Sequence, residues 1–273
     1  MKERRSSVNI YLFELKAQWK NALLWTLATI LFLAVFQLNI YPIFADSLDD
    51  VMDIISGFPK PFLAAFGFDA NTMFSFGGFF NLTYNYLALM GTIMATTLSV
   101  ASFAREKRSK CMDFLHSKPL SRSKIFASKL LELLTLLCLS NALLLLSSVI
   151  IYNTSGEAKE GLRTFLLSVA GLFFTQLLFT AFGTAFAVIA KKVRSVSGIA
   201  TAISFGAFIL SALDAIMDEN IMHYLAPVKY FSPTTIYSNG KYELQYVCTA
   251  ILIGIVSIGA AYVVYCKHDI HSV

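Results

Sequence analysis

The chain has 273 residues, of which 56% are hydrophobic and only 14% charged, a balance too apolar for a water-soluble domain of this size. Its net charge of +5 does not point to nucleic acid, because the surplus is distributed along the chain by topology and the intervening pieces are acidic. Its four cysteines, Cys111, Cys138, Cys248 and Cys266, lack metal-ligand spacing, so no metal site, disulfide or other cofactor is expected.

Six continuous apolar runs lie at about 22–41, 82–104, 126–152, 164–190, 196–216 and 245–266. Each reaches or approaches the roughly 20 residues a helix needs to cross about 30 Å of hydrocarbon. None shows the period-two alternation of a barrel strand. Seventeen of the 22 Lys and Arg fall in alternate polar pieces, 1–21, 105–130, 191–195 and 267–273. The others are Lys60, Lys159, Arg163, Lys229 and Lys241. Positive charge stays on the cytoplasmic side, so both termini are expected there. The fold class is therefore an all-α polytopic plasma-membrane protein, a single transmembrane domain over 1–273 with six spans.

Residues 7–20 read as an amphipathic helix at the cytoplasmic interface, with Val8, Leu12, Leu15 and Trp19 on one face. The first apolar run is too long, and begins too late, for a signal peptide. In the outer piece 42–81, Leu48, Val51, Met52 and Ile55 form a stripe opposite Asp49, Asp50 and Asp53. Gly57, Pro59 and Pro61 break that helix. Eight phenylalanines then follow from Phe58 to Phe80, a density that suits interfacial or re-entrant placement. In span five, Gly198, Ala202 and Gly206 recur every four residues, a spacing that lets two backbones approach closely. The face would serve an intramolecular neighbour or a second protomer. Between spans five and six, 220–240 is too short and too interrupted by Pro227 and Pro233 to span, and reads as a second interfacial or re-entrant helix pair.

The loop 105–130 reads REKRSKCMDFLHSKPLSRSKIFASKL. Arg105 to Ser117 has helical composition, Pro119 ends it, and Ser121 suits the N-cap of the helix that becomes span three. Phe114 and Leu115 make an apolar knob ringed by Lys107, Arg108, Lys110 and Lys118, a form suited to docking in a partner's groove. Here Glu106, Asp113-Phe114-Leu115, Lys118-Pro119-Leu120-Ser121-Arg122, Ile125 and Lys129-Leu130 resemble the loop after the second span of ABC-2 type transporter permeases. Leu225-Ala226-Pro227 and Tyr230-Phe231 resemble that family's element before the last span, and 7–20 its elbow helix.

The resemblance implies the permease subunit of an ATP-driven exporter, two such subunits pairing as a dimer around a path and two separate ATPase subunits binding one coupling helix each. It assigns Arg105, Glu106, Asp113, Phe114, Leu115, Lys118, Pro119, Ser121 and Arg122 to ATPase coupling: Phe114 and Leu115 as the buried knob, Glu106, Asp113, Lys118 and Arg122 as its charged rim, Pro119 as a stiff turn. The chain itself contains no Gly-x-x-x-x-Gly-Lys-Ser/Thr phosphate loop and would not be an enzyme by itself.

An ion-coupled secondary carrier fits less well. The spans hold almost no ionisable residues beyond Glu132 and Asp214 near their ends, and the two halves show no repeat. Asn141 and Gln176 read as interhelical glue. An intramembrane enzyme is disfavoured because His116, His223, His268 and His271 are scattered. A non-transporting sensing or resistance component would use the same docking loop and stays open. The apolar spans and aromatic outer loop favour an amphipathic peptide, a lipid or a drug as cargo, with membrane lipid as a further partner.

Overall fold

The computed structural model describes residues 2–59, 62–63, 66–68, 72–109, 121–156, 161–217 and 220–267. They form helices joined by turns and short irregular segments, with no strand among the described residues. Helix α1 (Lys2–Val35) runs through a π turn (Phe36–Ile40) into α2 (Tyr41–Asp46). Helix α3 (Leu48–Ser56) follows, then α4 (Phe76–Ser109), α5 (Arg122–Ser155), α6 (Leu162–Ile189) and α7 (Val196–Met217). Two short helices, α8 (Asn220–Leu225) and α9 (Pro233–Asn239), precede α10 (Leu244–Lys267). Six are long and apolar enough to cross a membrane: α1 continued by α2, then α4, α5, α6, α7 and α10.

The local signals have physical sources. Pro42 has no N–H, and its ring would strike the carbonyl of residue 38 in a regular helix. The π turn widens the backbone at that place and lets α1 continue. Gly156 closes α5 and Gly240 closes α9 in the left-handed region, φ 74° and 66°, where a side chain is strained. Ser121 occupies the N-cap position of α5 with extended backbone, yet its hydroxyl makes no capping bond; its carbonyl receives the Lys124 and Ile125 N–H groups.

The stretch 7–20, expected as a separate elbow, continues into the first span without a break. Leu12, Phe13 and Trp19 point outward, and the buried side chains are Glu14 and Gln18. The burial of these two polar side chains has an electrostatic cause, described below.

Lipid is as apolar as leucine, so burial from water cannot drive helices together within the membrane. Close approach and hydrogen bonds do so instead. The bundle is built accordingly. Helices α4 and α6 form its centre, with 72% and 61% of their most apolar stretches buried, against 11% for α10 and 22% for α7. The α4 face at this centre is small or hydroxylic: Ala88, Thr92, Ala95, Thr96, Ser99 and Ser102 are fully buried. Gly183 of α6 sits against it so closely that a Cβ there would stand 2.1 Å from Ser99 Oγ. A Cβ on Gly91 would stand 2.8 Å from Leu172 Cδ1. Helices α1 and α5 pack together on one flank, α7 lies on α4, and α10 lies on α6.

Helix α7 meets α4 through Ala200, Ser204, Ala207 and Ser211. Gly198, Ala202 and Gly206 lie on another face, two residues or about 200° round the helix. They are exposed, and a Cβ at Gly206 would touch nothing within 4 Å. Of the two uses expected for that spacing, the intramolecular one belongs to the neighbouring face.

The glycine contacts yield a paired test. Gly183→Val forces branched atoms into Ser99 and Thr96 and should cost about 1–3 kcal/mol by overpacking. Gly206→Ala should leave stability unchanged. The thermal midpoints of the two detergent-solubilised variants check both expectations.

Candidate functional site: the stem of the basic loop

The N-terminal part of α1, the end of α4, the start of α5 and the end of α10 meet at one end of the bundle, called here the loop end. The coupling segment inferred from the sequence lies mostly outside the described residues. That holds for Asp113, Phe114, Leu115, Lys118 and Pro119, and for the side chain of Glu106, whose backbone continues α4. Arg105, Ser121 and Arg122 are described, and they stand at the two roots of the loop.

Those roots are joined through a single carboxylate. Glu14 of α1 is buried, with Oε2 2.7 Å from Arg105 Nη1 of α4 and Oε1 3.0 Å from Lys129 Nζ of α5. Lys129 has no exposed surface. Its ammonium also donates to the Ser102 carbonyl at 2.6 Å and lies 5.7 Å from the centre of the Phe103 ring. Arg105 is partly exposed and lies over Phe13, so its guanidinium reaches the surface while its stem stays in the bundle. Ser102 Oγ donates to Glu132 Oε2 at 3.2 Å, and Gln18 Nε2 donates to the Leu98 carbonyl at 3.1 Å. The cluster thus holds two carboxylates and two cations, with the α4 carbonyls of Ser102 and Leu98 accepting from Lys129 and Gln18.

This explains why α1 turns Glu14 and Gln18 inward. An ammonium without exposure in a membrane protein requires a partner, since an unpaired buried charge is among the costliest arrangements in a fold. Glu14 supplies it, and Gln18 follows one turn later on the same side.

A second grip is aromatic. Phe103 and Phe126, at the two roots, lie 5.1 Å apart between ring centres, and Phe126 meets Tyr262 and Tyr265 of α10 at 5.4 and 5.5 Å. The Ser123 hydroxyl lies 2.9 Å from that of Tyr262. The stem is therefore held by charge on the α1 side and by rings on the α10 side.

Sequence reasoning missed Glu14 and Lys129 as a pair. The available signal was a carboxylate shortly before the first apolar run, in a helix that continues into a span, with a lysine seven residues into the third long helix. Deeper in the bundle the polar residues pair with one another: Asn141 Nδ2 donates to Gln176 Oε1 at 2.6 Å, and Thr26 Oγ1 to Ser140 Oγ at 2.8 Å. No group of three potential metal ligands occurs among the described residues.

A family model described as "ABC-2 family transporter protein" matches residues 8–269, from within α1 to just past the end of α10. The chain belongs to the ABC-2 transporter family. No curated protein and no solved structure gives a significant match. Membership makes the chain a multi-pass membrane permease component of ABC transporters, a transport component rather than an enzyme, and implies partnership with an ABC ATPase subunit.

The ion cluster makes a quantitative prediction for this permease. Glu14→Ala removes the carboxylate shared by Lys129 and Arg105 and should cost about 3–5 kcal/mol, whereas Glu14→Leu combined with Lys129→Met should recover most of that loss. Denaturation of the purified variants gives the comparison.

Proposed function

We propose that the chain is the permease subunit of an ATP-driven ABC exporter, with its loop end in the cytoplasm. The observation that carries this reading is the double grip of Glu14 on Arg105 and Lys129. A loop that served only to connect two spans would need no shared anchor. One that receives mechanical work does, because displacement of either root must reach the bundle instead of being absorbed locally.

In this reading the 1–273 permease domain sits in the plasma membrane with both termini cytoplasmic. The charge distribution supports that orientation: Lys16, Lys20, Arg105, Arg122, Lys124, Lys191, Lys192, Arg194 and Lys267 all belong to the loop end. Two ATPase subunits bind below two permeases. Phe114 and Leu115 enter a groove on the ATPase, and Glu106, Asp113, Lys118 and Arg122 set the register at its rim. Pro119 stiffens the turn back to Ser121. The ATPase stroke then pulls α4 and α5 together, with Glu14 carrying the displacement into α1 and the Phe103–Phe126 contact carrying it into α10. The exposed Gly198, Ala202 and Gly206 face of α7 is offered to the second permease. Cargo is amphipathic, a peptide, lipid or drug, since the described spans carry charge only near their two ends.

Two measurements test the reading. Asp113→Lys with Phe114→Ala should reduce co-purification of the ATPase subunit by about tenfold or more while leaving the permease's own thermal midpoint unchanged. Undiminished recovery of the ATPase would end the coupling assignment. In a background whose four cysteines are replaced by serine, Ser123→Cys should react with a membrane-impermeant maleimide only in inside-out vesicles. Labelling in right-side-out cells would reverse the orientation.

A further inference from the structure

At the end of the bundle opposite the loop, residues 220–243 form a folded cap. Ala226, Val228, Tyr230, Phe231, Pro233 and Ile236 are buried. Gly171 of α6 allows the cap backbone to approach, since a Cβ there would stand 2.9 Å from the Phe231 carbonyl oxygen. Thr234 Oγ1 donates to Asn81 Oδ1 of α4 at 2.9 Å, and the Tyr242 hydroxyl donates to the Leu167 carbonyl of α6 at 2.6 Å. The Tyr230 hydroxyl donates to the Tyr224 carbonyl. Burial pushes both phenols up, Tyr242 to about 12, so they stay neutral donors. The cap is thus tied to the two central helices, α4 and α6.

Helix α7 is held differently. Its contact with α4 is made of small side chains, and most of its surface is exposed. Asp214 is the only charged residue among its 22. That carboxylate is 1% exposed, and two cap residues converge on it: His223 Nδ1 lies 2.7 Å from Oδ1, and Lys229 Nζ lies 3.1 Å from Oδ2. The partners are not buried alike, since His223 and Lys229 keep 32% and 30% of their side-chain surface exposed.

A buried ionic contact adds little net stability over an apolar one, and its best-attested use is to select one arrangement over another. Here separation is asymmetric. The two cap side chains can hydrate at once, but Asp214 can leave them only if water reaches the α4–α7 seam. Breaking the contact and wetting that seam are therefore one event.

We propose that Asp214 is the latch of the far gate. It holds α7 against the 220–243 cap while that end of the path is closed, and lets go when α7 shifts along its small-residue contact with α4 to open it. This inference rests on the permease reading above, and its first test needs neither ATPase nor cargo, so the two can fail separately.

The probe is Ser211→Cys, buried on the seam one turn before Asp214, in the cysteine-free background. Its reaction with a membrane-impermeant maleimide added from the far side should be slow with Asp214 present. It should rise about tenfold in Asp214→Asn, a shift of the size expected when a modest bias between two states is removed. Asp214→Glu should restore the slow rate. An unchanged rate in Asp214→Asn overturns the latch, as does a rise matched by Asp214→Glu. In the second test, Asp214→Cys and Lys229→Cys are bridged by a short bismaleimide in the holo complex. The cross-link should form and lower ATP hydrolysis about fivefold or more relative to the unbridged protein. Failure to bridge, or hydrolysis unaffected by bridging, refutes the proposal even if Asp214→Asn does not fold.

Discussion

The contact of Glu14 with Arg105 and Lys129 is the constraint around which this permease is arranged. It fixes the rotation of α1, because Glu14 and Gln18 must face α4 and α5, which sends Leu12, Phe13 and Trp19 outward. It fixes the relative height of α4 and α5, because a single carboxylate must reach Nη1 of one and Nζ of the other. A rigid stem follows from these two conditions. The chemistry also shows why the cluster is ionic. Replacing the ions with apolar side chains could give equal stability, but apolar surfaces in lipid have no preferred partner, whereas a buried lysine accepts only arrangements that bring it an oxygen.

The same solvent argument explains the middle of the bundle. Helices α4 and α6 are the most enclosed, and their closest approaches are made at small residues, Gly183 against Ser99 and Thr96 and Gly91 against Leu172. Leucines such as Leu31, Leu131, Leu139, Leu146 and Leu252 lie on the exposed surface, where lipid receives them. Inside-out patterning of this kind is expected when the surrounding medium is hydrocarbon. It makes hydropathy a good guide to which segments span and a poor guide to which of their faces meet.

That distinction sets how much of the molecule could be read from residue order. Existence and order of the spans follow from run length alone, and the short helices before the second and last spans follow from Gly57, Pro59, Pro227 and Pro233. The family was legible in the run from Glu106 to Arg122. Helix faces were not. On α7 the regular Gly198, Ala202, Gly206 spacing was the visible pattern, yet Ala200, Ser204, Ala207 and Ser211 make the contact with α4. Both sets are small, and periodicity cannot say which one has a neighbour. The stem was hidden for a different reason: Glu14 and Lys129 are 115 residues apart, and each looks like an ordinary flanking charge until the partner is known.

The two ends of the bundle solve one problem in opposite ways. At the loop end, Lys129 is fully enclosed and Glu14 nearly so, and Arg105 alone reaches the surface, so separating the cluster would strand an ammonium in apolar surroundings. Such a contact suits parts that move as a body. At the far end the single enclosed member is the carboxylate, and both of its partners, His223 and Lys229, already meet solvent. Separation there strands one group, and only until water follows it. Between these ends runs α4, which contributes Arg105 and the Ser102 carbonyl to the first cluster and Asn81 to the anchoring of the cap over the second. Displacement imposed on a continuous helix at one end appears at the other, because its hydrogen-bonded backbone is stiff along the axis. The contact that should yield is the one whose members rehydrate most readily. By that criterion a displacement carried along α4 would be released at Asp214 rather than at Glu14.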